Sequence, residues 1–79
     1  MRSKNDTQEK MEFQQEIRLI SSKIKTYRAN KNLSVQELAY LCNMERSSIS
    51  RIESGRVNIT IKTLCIISDA LGIEPKDLL

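Results

Sequence analysis

Leu33–Gly55, LSVQELAYLCNMERSSISRIESG, is the stretch whose reading decides the fold. Ser34 with Glu37 three residues on has the spacing of a capping box, in which each residue satisfies a backbone N–H of the other. Leu33, just before the cap, can staple onto Leu38. Leu38, Ala39, Leu41 and Cys42 are expected to form the buried side of this helix, the small Ala39 letting a neighbouring helix come close. Asn43 is a turn residue that tolerates the left-handed conformation. Met44 follows as an apolar plug, then Glu45. A second helix is predicted over about 46–53, with Gly55 just past its end as a stop. At about 100° per residue, Ile49 and Ile52 face inward together. Ser47, Ser50, Arg51 and Ser54 fall on the far side, and Arg46 lies near the edge on the first turn, where its side chain can reach forward.

Upstream, Phe13, Ile17, Ile20, Ile24 and Tyr27 recur at intervals of four and three and share one stripe. One helix over about 7–30 fits them; the alternative is a disordered tail to about 15 with a shorter helix behind it. Asp6 and Glu9 have capping-box spacing, and the polar MRSKND before them is expected to fray. Asn30–Lys31–Asn32 ends this helix. Downstream, Arg56–Val57–Asn58–Ile59 is a short connector. Thr60 can cap a helix of about 61–71, whose apolar pattern is Ile61, Leu64, Cys65, Ile67 (or Ile66), Ser68 and Leu71, with Gly72 as its stop. Ile73–Glu74–Pro75 opens a last turn or short helix, since proline suits a first helical turn. Leu78 and Leu79 then return to the core or to a partner.

The whole chain of 79 residues is sized for one small domain. Such a chain buries only about 60% of its unfolded surface, so helical packing or dimerisation would help it. Two glycines and one proline favour an all-α chain with short connections. The net charge of +3 permits a polyanionic partner without requiring one. Residues 1–32 carry eight basic and four acidic side chains, and Arg46, Arg51 and Arg56 fall within one short stretch. Cys42 and Cys65 sit in apolar runs and read as buried free thiols suited to a reducing cytosol, a disulfide between them being the minor reading. With no His and no C-x-x-C, a zinc site is not expected, nor is any other metal or cofactor. No signal peptide or membrane-spanning run is present.

Ala39, a turn residue at 43, then Ile49, Ile52 and Gly55 together give the signature of a helix-turn-helix. From about Ile20 to Leu79 the chain resembles the phage-repressor/Cro-like (XRE-type) helix-turn-helix family of bacterial and phage regulators. The matching residues are LS-x-x-ELA (33–39), IS-x-IE-x-G (49–55), Asn58, TLCIISDALGI (63–73) and DLL (77–79). The resemblance implies an all-α, five-helix lambda-repressor-like domain over 17–79, preceded by a partly helical or frayed N-terminal extension over 1–16. It implies that helix 46–53 lies in the major groove of double-stranded DNA, with base contacts from Arg46, Ser47, Ser50 and Arg51. Arg suits guanine, whose O6 and N7 accept two hydrogen bonds from it, and short serines allow close approach. Backbone contacts are implied for Arg56 and Asn58, and for Ser34 and Gln36, where free helix N–H groups can bind phosphate. A Glu at position 53 pairs in the family with an Arg of the first helix, which Arg28 matches.

The chain departs from the family pattern at three places. Val35 replaces a Gln that helps to position phosphate, and Gln36 points about 100° away from it. Asn43 replaces the usual turn Gly, and Ile59 replaces a Pro. The bland readings stay open beside the functional ones. Arg51 can be a solvated helix charge, Arg46 can pair with Glu45, and Lys23 and Lys25 can touch phosphate or only water. Tyr40 suits packing or surface better than base stacking.

No catalytic constellation is present. Without His there is no Ser–His triad, and there is no glycine-rich phosphate loop. Two functions remain. The first is a sequence-specific DNA-binding transcriptional regulator, cytoplasmic and homodimeric, reading a pseudo-palindromic operator; one module reads too few base pairs alone. With the chain stopping at DLL, no separate oligomerisation or small-molecule-binding domain is expected. The dimer surface is then expected from Phe13 and Ile17, from Leu78 and Leu79, or from both. The length and the RVNITIKTL segment (56–64) are similar to the controller proteins of restriction–modification systems. The second function is a protein-interaction module on the same fold, such as an antitoxin.

Overall fold

Each helix of this chain is stopped in the same way, by a residue in the left-handed region just beyond its end. The computed structural model describes residues 6–79, with side chains from Phe13 onward. It contains α1 (Asp6–Asn30), α2 (Val35–Cys42), α3 (Arg46–Glu53) and α4 (Ile61–Leu71), then a single 3₁₀ turn over Pro75–Leu78. The stops are Asn32 (φ 58°), Asn43 (φ 56°), Gly55 (φ 76°) and Gly72 (φ 72°). Behind three of them the chain folds back onto the helix end. Leu33 N–H donates to the Arg28 carbonyl at 3.1 Å, Met44 N–H to that of Ala39 at 2.9 Å, and Ile73 N–H to that of Ser68 at 3.0 Å. These bonds satisfy carbonyls that a helix C-terminus would otherwise leave unpaired.

Two of the helix starts, those of α2 and α4, are equally explicit. Ser34 Oγ accepts from Glu37 N–H at 3.0 Å, and Glu37 Oε1 accepts from Ser34 N–H at 2.8 Å, which completes the capping box read from the sequence. Thr60 Oγ1 accepts from Thr63 N–H at 3.1 Å and caps α4.

The core sits where the four helices meet. Ile24 of α1, Leu38, Ala39 and Cys42 of α2, Ile49 and Ile52 of α3, Leu64, Ile67 and Leu71 of α4, and Leu78 are all buried. Leu33, Val35, Met44, Val57 and Ile59 pack against its edge. Two polar groups tie α1 to α3 within this apolar setting. Ser21 Oγ donates to the Ile52 carbonyl at 2.7 Å. Arg28 donates from Nε to Glu53 Oε2 at 2.7 Å, from Nη2 to Glu53 Oε1 at 3.1 Å, and from Nη1 to the Leu33 carbonyl at 2.6 Å. The hydrogen bonds to Glu53 push the Arg28 pKa up from its ordinary value, against the opposing effect of burial.

Several expectations are corrected. The helices among the described residues are four rather than five, because the expected fifth is one 3₁₀ turn. Between the stop at Gly72 and the buried Leu78 there is room only for a turn, closed by Asp77 accepting from Glu74 N–H at 2.9 Å. Leu78 is wholly buried and so offers no dimer surface. Leu41 is exposed, since it lies about 100° from the centre of the Leu38–Ala39–Cys42 arc. Ile61 and Cys65 are also exposed, because the buried face of α4 is centred on Leu64, Ile67, Ser68 and Leu71. Both thiols are free; Cys42 is buried and Cys65 is not, and burial pushes the Cys42 thiol pKa up. The α1 stripe is buried only at its C-terminal end. Ile24 is enclosed, Ile20 and Ile17 are half-buried, and Phe13 is 63% exposed, because α1 runs on past the other helices. The Asp6–Glu9 cap and the frayed first residues lie outside the described residues and side chains.

Replacing Arg28 with Met leaves the Glu53 carboxylate, whose side chain is 6% exposed, without its partner. The expected cost is about 3–5 kcal/mol in urea denaturation, with the Arg28→Met/Glu53→Met double variant recovering much of it. A double variant as unstable as the two single losses added together would mean the pair is not coupled. Gly55→Ala is expected to lose about 1–2 kcal/mol from its positive φ alone. The new Cβ would also lie 3.1 Å from Arg18 Cγ, so an unchanged melting temperature would contradict this packing.

Candidate nucleic-acid interface

The polarity split of α3 builds this surface. Ile49 and Ile52 are buried, so the helix has one fixed orientation on the core. That orientation leaves Arg46, Ser47, Ser50 and Arg51 exposed to solvent. Ser48, between them, is half-buried and lines a shallow dip with Arg51, Ile52 and Val57. Arg46 and Glu45 form no ion pair; the one ion pair among the described residues is Arg28–Glu53. Among the described residues no carboxylate therefore engages the two α3 arginines.

The connector after α3 presents its side chains by alternation. Val57 and Ile59 pack inward on the core edge, so Arg56 and Asn58 between and beside them are exposed. Gly55 begins this turn in the left-handed region and lies against α1, with the Arg18 side chain over it. A side chain at 55 would push the connector off α1 and shift Arg56 with it.

At the start of α2, Ser34 and Gln36 are both exposed. The Ser34 oxygen already accepts from Glu37 N–H, which leaves its hydroxyl proton free to donate outward. The capping box engages the Ser34 and Glu37 N–H groups, and those of Val35 and Gln36, which have no intrahelical acceptor, favour an anion. Val35 is turned onto the core edge, so the position that departs from the family pattern contributes packing instead of a polar contact. Tyr40 is 82% exposed.

Sequence reading missed Ser21. It stands in the apolar stripe, four residues after Ile17 and three before Ile24, and a hydroxyl at such a position signals a buried hydrogen bond. Its bond to the Ile52 carbonyl fixes how far the end of α3 stands from α1. The sequence also gave no sign of the contact between Arg18 and Gly55, because a close approach between distant segments leaves no local pattern.

Residues 24–78 match the Helix-turn-helix family model HTH_3. The chain is similar to Control protein C.BamHI of Bacillus amyloliquefaciens, 42% identical over 62 residues that cover 77% of this chain and 76% of that protein. It is similar to Control protein C.SmaI of Serratia marcescens, 31% identical over 61 residues, covering 77% and 73%. Among solved structures it resembles the restriction-modification controller protein C.AhdI from Aeromonas hydrophila, with a TM-score of 0.77 and 28% identity, covering 80% of this chain and 96% of that one. The matched span takes in the buried core residues, all four αL stops and the whole of α3, and the chain belongs to the helix-turn-helix family.

Proposed function

We propose that this protein is a DNA-binding transcriptional regulator that lays α3 in the major groove and acts as a homodimer on a pseudo-palindromic operator. The observation that carries the reading is the division of α3 into a buried Ile49/Ile52 side and an exposed Arg46/Ser47/Ser50/Arg51 side. An interaction module has no need of a polar, basic and unobstructed helix face. A helix reading base edges needs such a face, with arginine as the side chain best matched to guanine. Ser34, Gln36, Arg56 and Asn58 flank α3 and are assigned to the phosphates, where they fix register without reading sequence. Likeness to control proteins supports the narrower role of controller in a restriction–modification system. Phe13, Ile17 and Leu79 remain as the apolar surface for the second subunit.

Selection of bound sequences from a random DNA pool tests the reading. Two related half-sites about one helical turn apart are expected; no enrichment would sink it. On the selected duplex, Arg51→Ala is expected to lose about 1–3 kcal/mol of specific affinity and little non-specific affinity. Arg56→Ala is expected to weaken both alike. Equal losses for the two variants would contradict the assignment. Light scattering at tens of micromolar is expected to report a dimer, and a species of only 9.1 kDa with or without DNA would exclude one.

A further inference from the structure

Read from Ser21 towards its N-terminus, α1 runs alongside the chain that leaves α3. Ser21 meets the Ile52 carbonyl. Arg18 lies over Gly55, its Cα within 3.5 Å of where a Cβ at that glycine would sit. Phe13, Gln14 and Ile17 line one cleft with Arg56 and Asn58. So Gln14 and Arg18, four residues apart on one helix face, border the connector that carries Arg56 and Asn58. Both are exposed. Among the described residues no carboxylate pairs with Arg18. Glu16, the nearest described acid along α1, stands about 160° round the helix from it.

We propose that Arg18, with Gln14 beside it, continues the phosphate-binding strip of Arg56 and Asn58 onto α1, so that the upstream part of this helix grips the DNA backbone outside the operator bases. The inference rests on the DNA-binding reading above. Both residues precede the span matched by the family model, which begins at Ile24. The chemistry is a guanidinium and a carboxamide offering N–H donors to successive phosphodiester oxygens. Packing of the Arg18 stem on Gly55 restricts its motion, so less rotamer freedom is lost when the phosphate arrives.

The test is a salt titration of the full chain against a labelled random-sequence duplex of about 20 base pairs. Arg18→Gln keeps the stem over Gly55 and removes the charge. It is expected to reduce the slope of log K against log salt by about 0.9, as Arg56→Gln does, with about 1.8 lost in the double variant. Arg18→Lys is expected to restore the wild-type slope, and the base preference obtained by selection is expected to stay unchanged. Should Arg18→Gln melt early, Arg18→Met supplies a second uncharged stem for the same measurement. An unchanged slope in Arg18→Gln beside a reduced one in Arg56→Gln overturns the proposal and leaves the DNA-binding reading standing. A reduced slope that Arg18→Lys fails to restore also overturns it, because the loss would then be structural. Absence of salt-dependent binding by the wild-type chain overturns both.

Discussion

Three hydrogen bonds from one guanidinium hold the parts of this domain in register. Arg28 stands in the last turn of α1, grips both oxygens of Glu53 at the end of α3, and reaches the Leu33 carbonyl just before α2. A fork of this kind fixes direction as well as distance, which a lysine ammonium would not. It joins the ends of three helices at one point. The angle that α3 makes with the rest of the fold is therefore set by a partly buried charge pair as well as by the fit of Ile49 and Ile52. Such a pair adds little net stability over an apolar replacement of similar shape, but it is costly to break from one side. Its contribution here is to the unique placement of α3.

Ser21 and Gly55 complete that placement. The hydroxyl of Ser21 holds the last turn of α3 through the Ile52 carbonyl, and the missing side chain at Gly55 lets the connector pass close to α1. Between them they carry the chain from α3 to Arg56 and Asn58 with few degrees of freedom. Exposed side chains on a rigid element meet a partner without first losing much backbone entropy.

Local features were readable in the sequence, and distant ones were not. The capping box of Ser34 and Glu37, the stops at Asn43 and Gly55 and the inward pair Ile49/Ile52 all follow from spacing over a few residues. The Arg28–Glu53 pair came only through the family resemblance, because nothing local links positions 25 residues apart. Errors arose where apolar residues outnumber the space that can bury them. Leu41, Ile61 and Cys65 share helices with better-placed neighbours and are left outside. Phe13 is exposed for a different reason: the apolar stripe of α1 continues after the body of the domain has ended. The residues after Gly72 read as a turn or a short helix, and the fifth helix was implied only by the family resemblance; the three residues from Pro75 to Leu78 leave no length for more than a 3₁₀ turn.

Among the described residues the exposed side of α3 makes no ion pair and supplies no core residue. Surface substitutions of this kind usually change stability by no more than about 0.5 kcal/mol. Positions 46, 47, 50 and 51 can therefore drift through other side chains while the fold remains intact. If these positions read DNA as proposed, mutation can explore new preferences there with little risk of unfolding, and lineages that share this scaffold can diverge in the sequences they read while keeping the same interior.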